Sequence, residues 1–146
     1  ILFALHTLHT TIGFVHGDAH IGNMLYTTHN VTSSCTLYEV GGEHYFIPDQ
    51  GEHWLLGDFG RSRYIDDTSK NQDHQWADKP NLEFVNFFTS LLKYTTPSAS
   101  VKTKIHAVIF LLNTNKSTRG VELFRCLFKD TFSFAQGKIK PKYFKI

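Results

Sequence analysis

His16-Gly17-Asp18-Ala19-His20-Ile21-Gly22-Asn23 is a polar, glycine-punctuated stretch set between two apolar ones. Upstream, Ile1, Leu2, Leu5, Leu8 and Ile12 recur three and four apart, which predicts a helix over 1–12. Gly13 suits its C-terminal stop, and Phe14-Val15 reads as a short extended piece feeding the polar loop. Downstream, Met24-Leu25-Tyr26 reads as a brief strand. Farther on, Trp54-Leu55-Leu56 reads as another, ending at Gly57-Asp58-Phe59-Gly60. Two loops, each at a strand boundary, therefore carry Asp18, Asn23 and Asp58.

Between them, residues 27–36 have the Thr/Ser/Asn composition of a loop. Leu37–Val40 and His44–Ile47 flank Gly41-Gly42 and predict a β-hairpin, since paired glycines supply the positive φ such turns need. Pro48-Asp49-Gln50-Gly51 is turn chemistry, and Asp49 is read as a turn residue rather than a metal or substrate ligand. Residues 61–80 are polar and read as a long exposed loop. The helical period returns at Leu82, Val85, Phe88, Leu91 and Leu92, with Asp78 as a candidate cap and Pro80 tolerated in the first turn. Pro97-Ser98 breaks the chain. Helices are expected at about 100–113 and 119–135, followed by a frayed, Lys-rich tail over 137–146.

The chain has 146 residues, which suits one domain or one large lobe. A hydrophobic fraction of 41% is enough for a packed core, and the 13 Phe, where they fall at helical spacing, are read as core. A net charge of +2 is too small for a nucleic-acid reader with its concentrated basic face, so no nucleic acid is expected as partner. No membrane partner is expected either, because no run approaches the ~20 apolar residues of a span. Cys35 and Cys126 have no framework or metal spacing, which points to a reduced, intracellular (cytoplasmic) protein. His16 and His20 are four apart, but the surrounding glycines argue for loop, and no third ligand completes a zinc set. His6 and His9 are expected at a helix surface, and Arg61 and Arg63 in solvent.

Phosphoryl transfer from ATP requires an aligned hydroxyl, metal ions on the phosphates, and a carboxylate that orients the nucleophile and takes its proton. A loop with Asp and, five residues on, Asn can meet two of these needs, and a second carboxylate from a neighbouring strand end can hold Mg²⁺ through hard oxygen. His16-x-Asp18-x(4)-Asn23 and Asp58-Phe59-Gly60 resemble the catalytic loop and metal-binding motif of protein kinases. Leu8-His9 and Gly13–His16 resemble the helix and strand that lead into that loop. The resemblance implies an α+β protein-kinase-like fold: a mainly helical C-lobe, with short strands and a hairpin near the site. It implies ATP and Mg²⁺ as cofactors, Asp18 as catalytic base, and Asn23 and Asp58 as nucleotide and metal ligands. It gives His16, Phe59 and Gly60 supporting roles, with Gly60 turning the chain past the metal. Asp78 either bonds the catalytic loop from below or only caps its helix.

Departures from the pattern shape the expected substrate. Gly17 replaces the arginine common before the catalytic aspartate, and His20 stands where Ser/Thr kinases usually carry a phosphate-contacting lysine. His20 is a candidate catalytic residue through phosphate or substrate contact, against a loop-packing role. The form His-Gly-Asp-x-His-x-Gly-Asn is similar to aminoglycoside and choline-type phosphotransferases and to haspin-like kinases. Tyr45–Pro48 and Asp58–Ser62 look like divergent kinases of large DNA viruses, which would place the protein in host cytoplasm or virion. The primary expectation is transfer of the ATP γ-phosphoryl group to a Ser/Thr hydroxyl of protein. A small-molecule hydroxyl is the alternative, and a non-catalytic pseudokinase-like binding module the second. No Gly-rich loop and no Lys–Glu pair is found, so 1–146 is expected to be a partial domain whose missing N-lobe precedes Ile1 and whose isolated form binds ATP poorly.

Overall fold

The computed structural model describes residues 1–31, 35–65, 80–114, 121–128 and 141–143. The chain is α+β, with three small sheets packed against helices. Helix α1 spans Leu2–Thr7 and continues into a π-helical turn, Leu8–Ile12, which Gly13 ends in the left-handed region at φ 68°. The expected single helix over 1–12 is thus half α and half π. Thr7 and Thr10 each turn a hydroxyl back onto the carbonyl four residues earlier, a habit that loosens regular α-geometry.

Strand β1, Phe14–Val15, pairs antiparallel with β6, Arg63–Tyr64. The polar composition of 61–80 hid this strand. Residues 66–79, Asp78 among them, lie outside the described residues. Strand β2, Met24–Thr28, pairs antiparallel with β5, Glu52–Leu56, in the register Met24↔Leu56 to Thr28↔Glu52. Both run longer than apolarity suggested, because Thr27-Thr28 and Glu52-His53 complete the ladder in exposed positions. The hairpin is present as β3, Cys35–Val40, and β4, Glu43–Pro48, joined by Gly41-Gly42 with φ of 59° and 79°. The tail is a further correction. Pro141–Tyr143 forms β7, which pairs parallel to Cys35–Leu37 of β3 rather than fraying into solvent.

Helix α2, Pro80–Tyr94, places Phe84, Phe87 and Phe88 on a buried face at three- and four-residue spacing. Pro80 opens it, where a missing N–H costs nothing. Helix α3, Ala99–Thr114, starts after Ser98, whose carbonyl and hydroxyl accept from Lys102 and Val101 N–H. It buries Ile105, Val108 and Leu112. Helix α4, Val121–Phe128, buries Leu123 and Phe124, and α3 packs between α2 and α4. Phe3 links the layers by stacking on Tyr38 at 3.9 Å and on Phe124 at 4.5 Å. Among the described residues, no helix is long and apolar enough to cross a membrane.

Tyr45 is 1% exposed in this core and donates its hydroxyl to Glu43 Oε2 at 2.9 Å, while Arg125 of α4 bonds Glu43 Oε1. Burial first, and then that hydrogen bond, pushes the Tyr45 phenol up to about 12 from 10. The native state therefore holds the proton longer than the unfolded chain. This stabilisation is complete below pH 10 and is lost as pH rises through about 12. Urea midpoints across that window should fall with pH, and the fall should be shallower in Tyr45→Phe.

Candidate active site

The loop after β1 is fixed from below by one helix. The Glu83 carboxylate on α2 is buried at 5% exposure and accepts Gly17 N–H on Oε1 at 2.6 Å and His16 N–H on Oε2 at 3.2 Å. His9 on the π turn contacts Oε2 through Nε2, and its side chain is 5% exposed, a correction to its expected surface position. Seven residues along the same helix, Ser90 Oγ accepts Ile21 N–H at 3.0 Å and donates to Phe87 O. Glu83 and Ser90, two turns apart, thus hold both ends of the loop. Among the described residues, support of the loop from below comes from Glu83. The signal in the sequence was a lone carboxylate among Leu82, Phe84, Val85, Phe87 and Phe88.

The two loops meet at Gly57. Its N–H donates to Asn23 O at 2.9 Å, and its carbonyl accepts from His16 Nε2 at 2.8 Å. His16 is fully buried, and its Nδ1 takes Asp18 N–H at 3.3 Å, so both ring nitrogens are engaged and Nε2 carries the proton. Ser62 Oγ donates to His16 O at 2.8 Å, and the Phe59 ring lies 4.7 Å from the His16 ring although Phe59 itself is 46% exposed. These contacts place the Asp58-Phe59-Gly60 loop directly against the Asp18 loop. Asp58 is exposed and adopts φ 55°, the one non-glycine positive φ among the described residues. Such conformations cost about 1–3 kcal/mol and gather at functional sites. Its Oδ1 accepts Gly60 N–H at 3.2 Å, and a turn closes from Ser62 N–H to Phe59 O. Gly60 stands at the second position of that turn with a φ that is not positive, and the left-handed backbone of this loop is at Asp58.

Asp18 keeps an open carboxylate. His20 Nε2 lies 3.7 Å from Oδ1 and Arg61 Nε lies 3.9 Å from Oδ2, both beyond hydrogen-bond range. His20 Nδ1 accepts Gly22 N–H at 3.0 Å, which leaves Nε2 as the protonated nitrogen facing Asp18 in the neutral ring. Asn23 donates Nδ2 to Asp18 O at 3.0 Å, so its amide oxygen is the end left to accept a ligand. The donor set of Asn23 Oδ1 and the Asp58 carboxylate is hard oxygen and fits Mg²⁺, which takes few protein ligands and completes its shell with phosphate and water. Among the described residues no three His, Cys, Asp or Glu side chains gather into a metal-binding group.

Gly17 is required by this close approach. Its φ is 79°, and a Cβ there would sit 2.3 Å from Arg61 O. Gly17→Ala should lower stability by at least about 2 kcal/mol, combining left-handed strain with a main-chain clash. Chemical denaturation checks this, and an unchanged midpoint would mean that the two loops are not pressed together. Comparison with family models, curated proteins and solved structures finds no match to this chain.

Proposed function

We propose that the chain is the C-lobe part of a kinase-like phosphotransferase that moves the γ-phosphoryl group of ATP to an alcohol. The observation that supports this best is the pair of hydrogen bonds at Gly57, which ties the loop of Asp18 and Asn23 to the loop of Asp58. That pair of bonds brings together the two backbone segments that carry Asp18, Asn23 and Asp58, whose side-chain oxygens have the chemistry of a magnesium–nucleotide site. Asp18, with both oxygens unblocked, orients the acceptor hydroxyl and takes its proton. Asn23 Oδ1 and Asp58 hold Mg²⁺, which when bound neutralises charge on the phosphates. Glu83, Ser90 and His16 keep the loop in place, so little reorganisation is left for the moment of reaction. Next to the site, Leu25 and Leu55 are 60% and 52% exposed, apolar surface suited to the nucleotide base.

A Ser/Thr hydroxyl of protein is the first acceptor reading, resting on the intact Asp58-Phe59-Gly60. A small-molecule acceptor is the second, favoured by the steric ban on any side chain at 17 and by His20 beside Asp18. The test is the intact protein with γ-labelled ATP and Mg²⁺, offered a mixed protein pool and, separately, an aminoglycoside and choline panel. Label on Ser/Thr of protein supports the first reading. Label only on small molecules replaces it with the second, and transfer to neither overturns the phosphotransferase proposal.

A further inference from the structure

Arg61 directly follows the Asp58-Phe59-Gly60 loop, and its main chain is packed into the site. Its carbonyl lies so close to Gly17 that a Cβ on that glycine would sit 2.3 Å away. The next residue, Ser62, donates its hydroxyl to His16 O and its N–H to Phe59 O, and Arg63 pairs with Val15 across β1–β6. The Arg61 side chain therefore leaves from a point set by both loops. It does little for the fold in return. It is 73% exposed, and among the described residues its one polar approach is Nε to Asp18 Oδ2 at 3.9 Å, a pair too long and too exposed to add much stability. On the other oxygen, Oδ1, stands His20 Nε2 at 3.7 Å, its ring held by Gly22 N–H on Nδ1. Two donors thus flank Asp18, each roughly an ångström beyond bonding distance. That gap leaves the carboxylate open to an acceptor hydroxyl. The guanidinium is a fork of five N–H donors, and a molecule whose hydroxyl rests on Asp18 would meet it with any anionic group about 3–6 Å from that hydroxyl.

We propose that Arg61 selects the acceptor, which is an anionic alcohol: a carboxylate or phosphate close to its hydroxyl is bound by the guanidinium. This assignment rests on Asp18 as the base and narrows the substrate class of that same site. Paired N–H···O bonds to carboxylate or phosphate are the strongest that a guanidinium makes. Cationic acceptors, aminoglycosides and choline among them, meet like charge at the same place. The transfer itself is unaltered: the hydroxyl oxygen bonds to the γ-phosphorus, ADP leaves, and the hydroxyl proton goes to Asp18.

The test gives the intact protein γ-labelled ATP, Mg²⁺ and two matched acceptor sets. One set is Ser/Thr peptide pools flanked by Asp/Glu, by Asn/Gln or by Lys/Arg. The other is glycerate, glycerol and 3-amino-1,2-propanediol. In whichever set takes label, kcat/KM should be at least about tenfold higher for the anionic member than for the neutral one, and lowest for the cationic one. Arg61→Gln should bring the anionic-to-neutral ratio down to about one, through the KM of the acceptor and not that of ATP. Arg61→Glu should turn the preference toward the cationic member, which loss of a merely structural contact would not do. Equal or opposite preference in the parent, a preference for the anion that survives either variant, or a rise confined to the KM of ATP overturns the proposal and leaves phosphotransfer standing. Transfer to no member of either set overturns both.

Discussion

Asp18→Asn in the intact protein should lower phosphotransfer turnover by about 10²–10⁴-fold, the usual worth of a general base, and leave unfolding midpoints nearly unchanged. The separation of the two effects follows from how residue 18 is built in. Its structural contribution runs through the main chain: the carbonyl accepts from Asn23 Nδ2 and the N–H donates to His16 Nδ1. Asparagine keeps both. The carboxylate contributes only long, solvent-exposed approaches to His20 and Arg61, and such pairs stabilise by about 0–1 kcal/mol. What asparagine removes is the capacity to accept a proton. Turnover within about twofold of the parent would eliminate Asp18 as the base, whatever the fate of the other assignments.

Glu83→Gln should destabilise the protein strongly for an isosteric change, by about 3–5 kcal/mol in urea denaturation. The carboxylate is buried and uses both oxygens against three donors: Gly17 N–H, His16 N–H and the His9 ring. Glutamine offers one acceptor oxygen and turns an amide N–H₂ toward a main-chain N–H, so a buried donor faces a donor. Glu83→Asp keeps both acceptors but is one methylene shorter, and should fall between parent and Gln. A Gln variant within about 1 kcal/mol of the parent would show that the loop is held by other means. Because the same amides set the position of Asp18, the Gln variant should also lose turnover under conditions where it is still folded.

The two predictions differ in how far the sequence foretold them. Asp18, Asn23 and Asp58, the residues of the proposed site, stood out because they fall in short loops with glycine punctuation, which local composition marks. The β3–β4 hairpin was readable for a similar reason, since its register is set by Gly41-Gly42. The α+β class followed from the mixture of periods. Glu83 was not readable as a loop anchor, because its partners are more than sixty residues away in the chain and a carboxylate in a helix is ordinary. His9 was misplaced at the surface for want of that same partner. Strands β6 and β7 are two and three residues long and exist only through pairing with β1 and β3, so no periodicity announces them. The π turn depends on hydroxyls folding back on carbonyls, which a pattern of apolar residues does not encode.

The anchoring of residues 16 and 17 by residue 83 has a temporal side. At about 5–20 residues per second, a ribosome that has just added Gly17 needs roughly 3–13 s more to reach Glu83. Until then the amides of the nascent loop lack their Glu83 acceptor, although the Gly57 carbonyl that His16 meets has already been made. The loop is therefore made well before the carboxylate that anchors it, and the newborn chain carries it unanchored over that interval.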